Sequence, residues 1–326
     1  FSQKSPGLQL AVDSHSLGEL KTCPRRYYYS VVCGYQPLEL SVHLIFGLLM
    51  HGARERYDHA KARGQEHEEA LEGALAWVLE ETWDKTLKRP WISSHNTKNR
   101  GTLIRTVIWY LDYYGTEDSF QTLRLADGRP ATELSFRFDS GFQTDEGEPW
   151  LFCGHIDRIA SFNGKPYILD LKTTAWSITP DWFNKFTPFN QFSMYTLAGQ
   201  IAWKEPTEGL IVDGVQVAVT FSYFQRGFVP RPPTIVEEWY KGTEYWLQQM
   251  QTCARAGQRA EEEGRDPSEG WPMNEMSCGN YSRADGSRGG CEFREICGKQ
   301  PASRQQWLQA GFKRRVWDPL QVRGDI

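Results

Sequence analysis

The chain lacks any apolar run approaching the ~18 residues that a membrane span requires, and its longest, Leu44 to Met50, is interrupted by Gly47. No membrane association is therefore expected. It has no phosphate loop of the G-x-x-x-x-G-K-[ST] form, which argues against a built-in ATP motor. It has no internal repeat, which argues against a solenoid. Positive charge is not in surplus: 37 Lys and Arg stand against 41 Asp and Glu, a net −4. This argues against a general basic coat for nucleic acid, and any such contact must come from local patches. The visible start shows no signal-peptide pattern, so a cytoplasmic setting is expected. What is present suffices for a sizeable core. With 326 residues, 40% of them hydrophobic and 13% aromatic, one large domain or two smaller ones are expected.

The most informative stretch is Trp150 to Thr174, which reads as two strands joined by the turn Asn163-Gly164-Lys165. One strand leads through Leu151 and Cys153 to Asp157, and the other runs Tyr167-Ile168-Leu169 into Asp170-Leu171-Lys172. Side chains alternate along a strand, so Asp170 and Lys172 share a face while Leu171 points into the core. Two carboxylates and an ammonium at one sheet edge suit a hard divalent ion, whose bound water can attack a phosphodiester, with Lys172 holding that water. The plainer reading is a surface hairpin with an Asp-Lys cross-strand ion pair.

Taken in order, the residues up to Val12 read as a loose arm, and Asp13 to Ser16 as caps for a helix that leads to Cys23-Pro24-Arg25-Arg26-Tyr27-Tyr28-Tyr29. Arg25, Arg26 and Tyr27 can hold phosphates and stack on unpaired bases, or simply pack and be solvated as ordinary helix residues. A second helix carries Ile45, Leu48, Leu49, His51 and Tyr57, with Gly47 and Gly52 where close packing is possible. His51 gains chemical interest if it faces the Asp157 and Asp170 edge. Two more amphipathic helices are expected over 66–88 and 103–114. From Ala131 the period becomes two, which makes a strand with Leu134, Phe136 and Phe138 on one face and Glu133 on the other, where it is a solvent-facing carboxylate or, as the lesser reading, a minor contributor to the metal edge. After Thr174 come an aromatic loop, a helix with Gln191 and Tyr195 on one side, a strand from Val215 to Phe224 and a long helix from Ile235.

The tail carries Cys278, Cys291 and Cys297 in polar, loop-like chain, which in a cytosolic protein points to metal or cluster binding more than to disulfides. A fourth ligand is needed. Cys23 is the best placed, with Cys33 a possible substitute, and four cysteines suit either a [4Fe–4S] cluster or a structural Zn²⁺.

The order His51, Gly154-His155-Ile156-Asp157-Arg158, Asp170-Leu171-Lys172-Thr173 and Gln191-x-x-x-Tyr195 resembles the PD-(D/E)XK nucleases of the RecB type. Framed by Cys23-Pro24 and the three late cysteines, it resembles their iron–sulfur branch, which includes CRISPR-adaptation exonucleases and the AddB nuclease module. The resemblance implies an α/β fold with a restriction-endonuclease-like core, a central mixed sheet flanked by helices. Around that core it places a mainly helical region over 1–130, the nuclease core over 131–235, and a long helix with a cluster-binding tail over 236–326. It implies Mg²⁺ or Mn²⁺ held by His51, Asp157, Asp170 and the Leu171 carbonyl, and Lys172 positioning the water. Gln191 and Tyr195 form the helix motif after the catalytic strand, and Cys23, Cys278, Cys291 and Cys297 hold the cluster. DNA ends are the implied substrate, with protein partners in a DNA-processing complex. Two features depart from the pattern: twelve residues separate Cys278 from Cys291, where the family's gap is very short, and the helical region from about Ala60 to Pro130 is long. The rival readings are a DNA-binding or assembly subunit with a vestigial centre and a zinc-bearing structural adaptor.

Overall fold

Asn163 and Gly164 both take left-handed backbone angles, φ 51° and 77°, as a two-residue type I′ hairpin requires. They join the strand Pro149–Phe162 to the strand Lys165–Thr174. The antiparallel register runs from Phe162 opposite Lys165 to Arg158 opposite Leu169 and stops there. Continued by one step, it sets Asp157 opposite Asp170, at the point where the two strands part.

The computed structural model describes residues 1–115, 118–203, 207–281, 289–315 and 317–319. The chain divides into one unit of Phe1–Leu40, Ser135–Gly154 and Pro233–Val322, and another that includes Ser41–Leu134 and His155–Pro232. In the latter, Lys165–Thr174 pairs in parallel with Leu210–Val217, which pairs antiparallel with Ser222–Val229, while Gln121–Thr122 pairs antiparallel with the end of Pro149–Phe162. The sheet is therefore mixed, and helices cover both of its faces. Helices Val42–Ala62, His67–Glu81 and Arg100–Gly115 bury Phe46, Met50, Ala74, Val107 and Tyr110 in one core with Leu171 and Val215. Helix Asn190–Ala202 connects the two parallel strands and packs its Gly199 against Ile168. Each large apolar side chain buried in this way contributes about 1.5–3 kcal/mol. This is the α/β architecture that the sequence suggested.

Two local expectations are corrected. Val215 to Phe224 is not one strand but parts of two, Leu210–Val217 and Ser222–Val229. The turn between them, Ala218 to Phe221, is closed by Ala218 N–H donating to the Phe221 carbonyl. It contains no Gly, Pro or Asn to signal it. The N-terminal arm is not loose throughout, because Ala11 and Val12 pair in parallel with Leu151 and Phe152.

In the first unit, Asp13 and Ser16 form a reciprocal cap for the helix Ser14–Thr22. The 30-residue helix Pro233–Glu262 buries Val236, Leu247, Met250 and Ala254 at helical spacing. Phe312–Arg314 pairs with Tyr35–Pro37. Among the described residues, no helix is long and apolar enough to cross a membrane.

Gly52, the residue after His51, lets the Trp77 ring lie against the backbone of its helix, and a Cβ there would collide with that ring. Gly52→Ala is expected to lower unfolding stability by about 1–3 kcal/mol through overpacking, measured as a reduced denaturant midpoint with an unchanged slope.

Candidate metal centre

Leu171 is the residue around which the centre assembles. Its neighbours in the parallel ladder alternate, so its own N–H and C=O face the diverging strand and have no backbone partner there. Side chains take them instead. Leu171 N–H donates to Asp157 Oδ2 at 3.1 Å, and His51 Nε2–H donates to the Leu171 carbonyl at 3.0 Å. The second bond fixes the imidazole so that Nδ1 faces the carboxylates, 3.3 Å from Asp157 Oδ2 and 3.8 Å from Glu133 Oε1. A backbone carbonyl holding the far nitrogen is the usual orientation device of a metal-ligating histidine.

Donor atoms of His51, Glu133 and Asp157 all lie within 4.8 Å of one another. Asp170 is fully buried, with Oδ2 2.6 Å from Lys172 Nζ, and neither of its oxygens has a hydrogen-bond partner of good geometry. Burial pushes the Asp157 carboxyl up, and Asp170 and Glu133 push it further, against His51 and Lys172, to about 7. Burial would depress the His51 imidazolium, but Asp157 and Glu133 outweigh it and raise it to about 9. With the imidazole neutral, three carboxylates and one ammonium leave two negative charges, which is what one divalent cation would neutralise. The donor set, oxygen with one imidazole, suits a hard or borderline ion.

Gln191 donates from Nε2 to Tyr195 Oη at 3.0 Å, so the two do share one helix face. Phe192, beside Gln191, presents its ring 5.8 Å from Lys172 Nζ.

Glu133 is the residue the sequence reading undervalued. Strict alternation from Leu134 to Phe138 turned it to solvent, but it is 9% exposed and takes φ 48°. That left-handed angle is uncommon for a side-chain-bearing residue and breaks the alternation. Nothing in the local sequence signals it. Lys98 likewise carries no local signal in the sequence. Its ammonium is buried and donates to Thr173 Oγ1 at 3.0 Å, and burial lowers it to about 8.

The four cysteines belong to the other unit, and all are free thiols. Cys297 lies within electrostatic range of Cys23 and Cys278, and Cys291 of Cys297. Burial pushes the Cys291 thiol up to about 12. Cys291 N–H donates to the Cys278 carbonyl at 2.7 Å, and Asn274 N–H to Cys23 Sγ at 3.5 Å. Cys33 sits instead beside Tyr28 and Arg314. Most of the polar insert between Cys278 and Cys291, residues 282–288, lies outside the described residues. Of the residues weighed for nucleic-acid contact, Tyr27 is completely buried against Trp271. Arg25 is buried and donates to the Trp271 carbonyl, and Arg26 pairs with Glu19 and Glu292. Packing and ion pairing, the plainer of the two sequence readings, describe these placements.

A family model of the PD-(D/E)XK nuclease superfamily matches residues 14–298. The chain belongs to this superfamily. A search of curated proteins finds no match. As a PD-(D/E)XK protein it falls among metal-dependent nucleases that act on DNA and typically use Mg²⁺ or Mn²⁺, and the His51, Glu133 and Asp157 group is compatible with such an ion. In this PD-(D/E)XK core, Glu133→Gln is expected to weaken Mn²⁺ binding by about 10–100-fold while leaving the far-ultraviolet spectrum unchanged, as read by calorimetric titration. An unchanged affinity would remove Glu133 from the donor set.

Proposed function

We propose that the chain is a RecB-type, divalent-metal-dependent deoxyribonuclease that works as an exonuclease on single-stranded or frayed DNA ends in processing, recombination or repair. One observation carries the reading: Asp157 and Asp170 meet where the hairpin opens, with Lys172 2.6 Å from Asp170 and the His51 imidazole turned toward Asp157. His51, Glu133, Asp157 and Asp170, with the Leu171 carbonyl, would hold the ion. When bound, the ion neutralises phosphate charge and acidifies a water. Lys172 holds the attacking water in line with the scissile P–O bond and offsets the charge that grows on the phosphate oxygens. Asp170 keeps the Lys172 ammonium in place. Gln191 and Tyr195, tied to each other, orient the phosphate from the following helix. Water displaces the leaving oxygen directly, so no covalent enzyme intermediate is required.

End-labelled single- and double-stranded DNA should lose label with Mg²⁺ or Mn²⁺ and not after chelation. Lys172→Ala should slow this by about 10²–10³-fold. Cleavage that survives in the variant at the original rate would remove Lys172 from the mechanism.

Cys23, Cys278, Cys291 and Cys297 are assigned to a [4Fe–4S] cluster that joins the N-terminal helix to the tail, a structural part, since hydrolysis moves no electrons. Cys297 lies near Cys23 and Cys278, and Cys291 near Cys297, which is compatible with one shared site. Anaerobically purified protein should be brown, absorb broadly toward the blue and contain iron and sulfide. Colourless protein with stoichiometric zinc would establish the zinc alternative.

A further inference from the structure

A second cavity, of about 360 Å³, lies in the same unit as the carboxylates. Arg54, Asp58 and Arg158 line both it and the space that holds His51, Glu133 and Asp157. Its carboxylates are already engaged. Arg54 donates from Nε and Nη2 to the two oxygens of Asp58, both at 2.9 Å. Asp118 accepts from Arg158 Nη2 at 3.1 Å and from Arg226 through both of its oxygens, with Arg54 Nη2 at 3.7 Å. Arg54 and Arg158 are 9% and 5% exposed and largely taken up by these ion pairs, whereas Lys61 is part-exposed and Arg124 exposed.

The charge of the lining is what the cavity offers a ligand. Arg54, Lys61, Arg124 and Arg158 line the cavity against Asp58 and Asp118 only, a surplus of two positive charges. A dianion would match the surplus, and planar guanidiniums bind phosphate oxygens with directional, charge-assisted bonds. The volume falls in the range of about 300–1,000 Å³ typical of small-molecule sites. Tyr57, Tyr114 and Phe120 on the same wall offer ring surface beside the cations.

We propose that this cavity binds a phosphate monoester dianion, that of a nucleoside monophosphate released at the neighbouring carboxylates. The nucleoside part rests on the nuclease reading, whereas the phosphate part rests on the cavity alone.

The full chain, freed of divalent ions by chelation and dialysis, is titrated calorimetrically with inorganic phosphate, dAMP and deoxyadenosine. Phosphate and dAMP should bind at one site and deoxyadenosine should not. The double variant Lys61→Gln/Arg124→Gln, altered where the side chains are part-exposed or exposed, should bind at least about tenfold more weakly, as expected for lost charge-assisted contacts. Lys172→Ala should bind as the parent does. Tighter binding of dAMP than of phosphate assigns the site to nucleotide, and equal affinities assign it to free phosphate. No binding by the parent chain, or unchanged affinity in the double variant, overturns the proposal. Because no metal is present and no cleavage is read, a chain that binds dAMP but cuts no DNA would defeat the nuclease reading and leave this one standing.

Discussion

One peptide unit organises the centre. Where the hairpin strands separate after Arg158 and Leu169, the N–H and C=O of Leu171 lose the backbone partners that a continued ladder would supply. Left unpaired inside the protein, they would cost more than most single contacts contribute. Asp157 and His51 fill the gap from two distant parts of the chain. The same two bonds that satisfy the backbone also aim a carboxylate and an imidazole nitrogen at one point, so the opening of the sheet and the assembly of the donor set are one structural event.

That arrangement gathers negative charge where burial penalises it. Three carboxylates, with one ammonium and one imidazole among them, sit in a space where the Asp157 carboxyl is driven up and the His51 imidazolium is held on its proton. The surrounding framework holds these groups in place: helix Val42–Ala62 is packed into the core through Phe46 and Met50 together with Leu171. Folding energy from apolar burial keeps like charges close, and a divalent cation is the natural relief. Behind the same wall the imbalance reverses, with guanidiniums outnumbering the carboxylates that engage them.

Much of the fold was legible because its signals are local. The Asn-Gly turn, the switch from period 3.6 to period 2 at Ala131, and the apolar spacing of the helices each depend on neighbours within a few residues. The hairpin of Leu210–Val217 and Ser222–Val229 escaped notice because its turn is built from Ala, Val, Thr and Phe, which resemble strand residues. Glu133 ranks only as a minor contributor in the sequence because its left-handed angle breaks the alternation, and no residue type around it announces that angle. The segment Arg25 to Tyr27 could be read as exposed or as packed, and only its neighbours Trp271, Glu19 and Glu292 decide between the two.

The sequence by itself determined that Asp157, Asp170 and Lys172 share a hairpin, because alternation and turn chemistry act over short distances along the chain. Tertiary structure alone decided that His51 reaches the Leu171 carbonyl, that Glu133 turns inward, and that Arg54 and Arg158 line a cavity behind the site. Those facts depend on how helices settle on the sheet. That packing is fixed by the shapes of buried side chains far apart in the chain, and no local pattern encodes it.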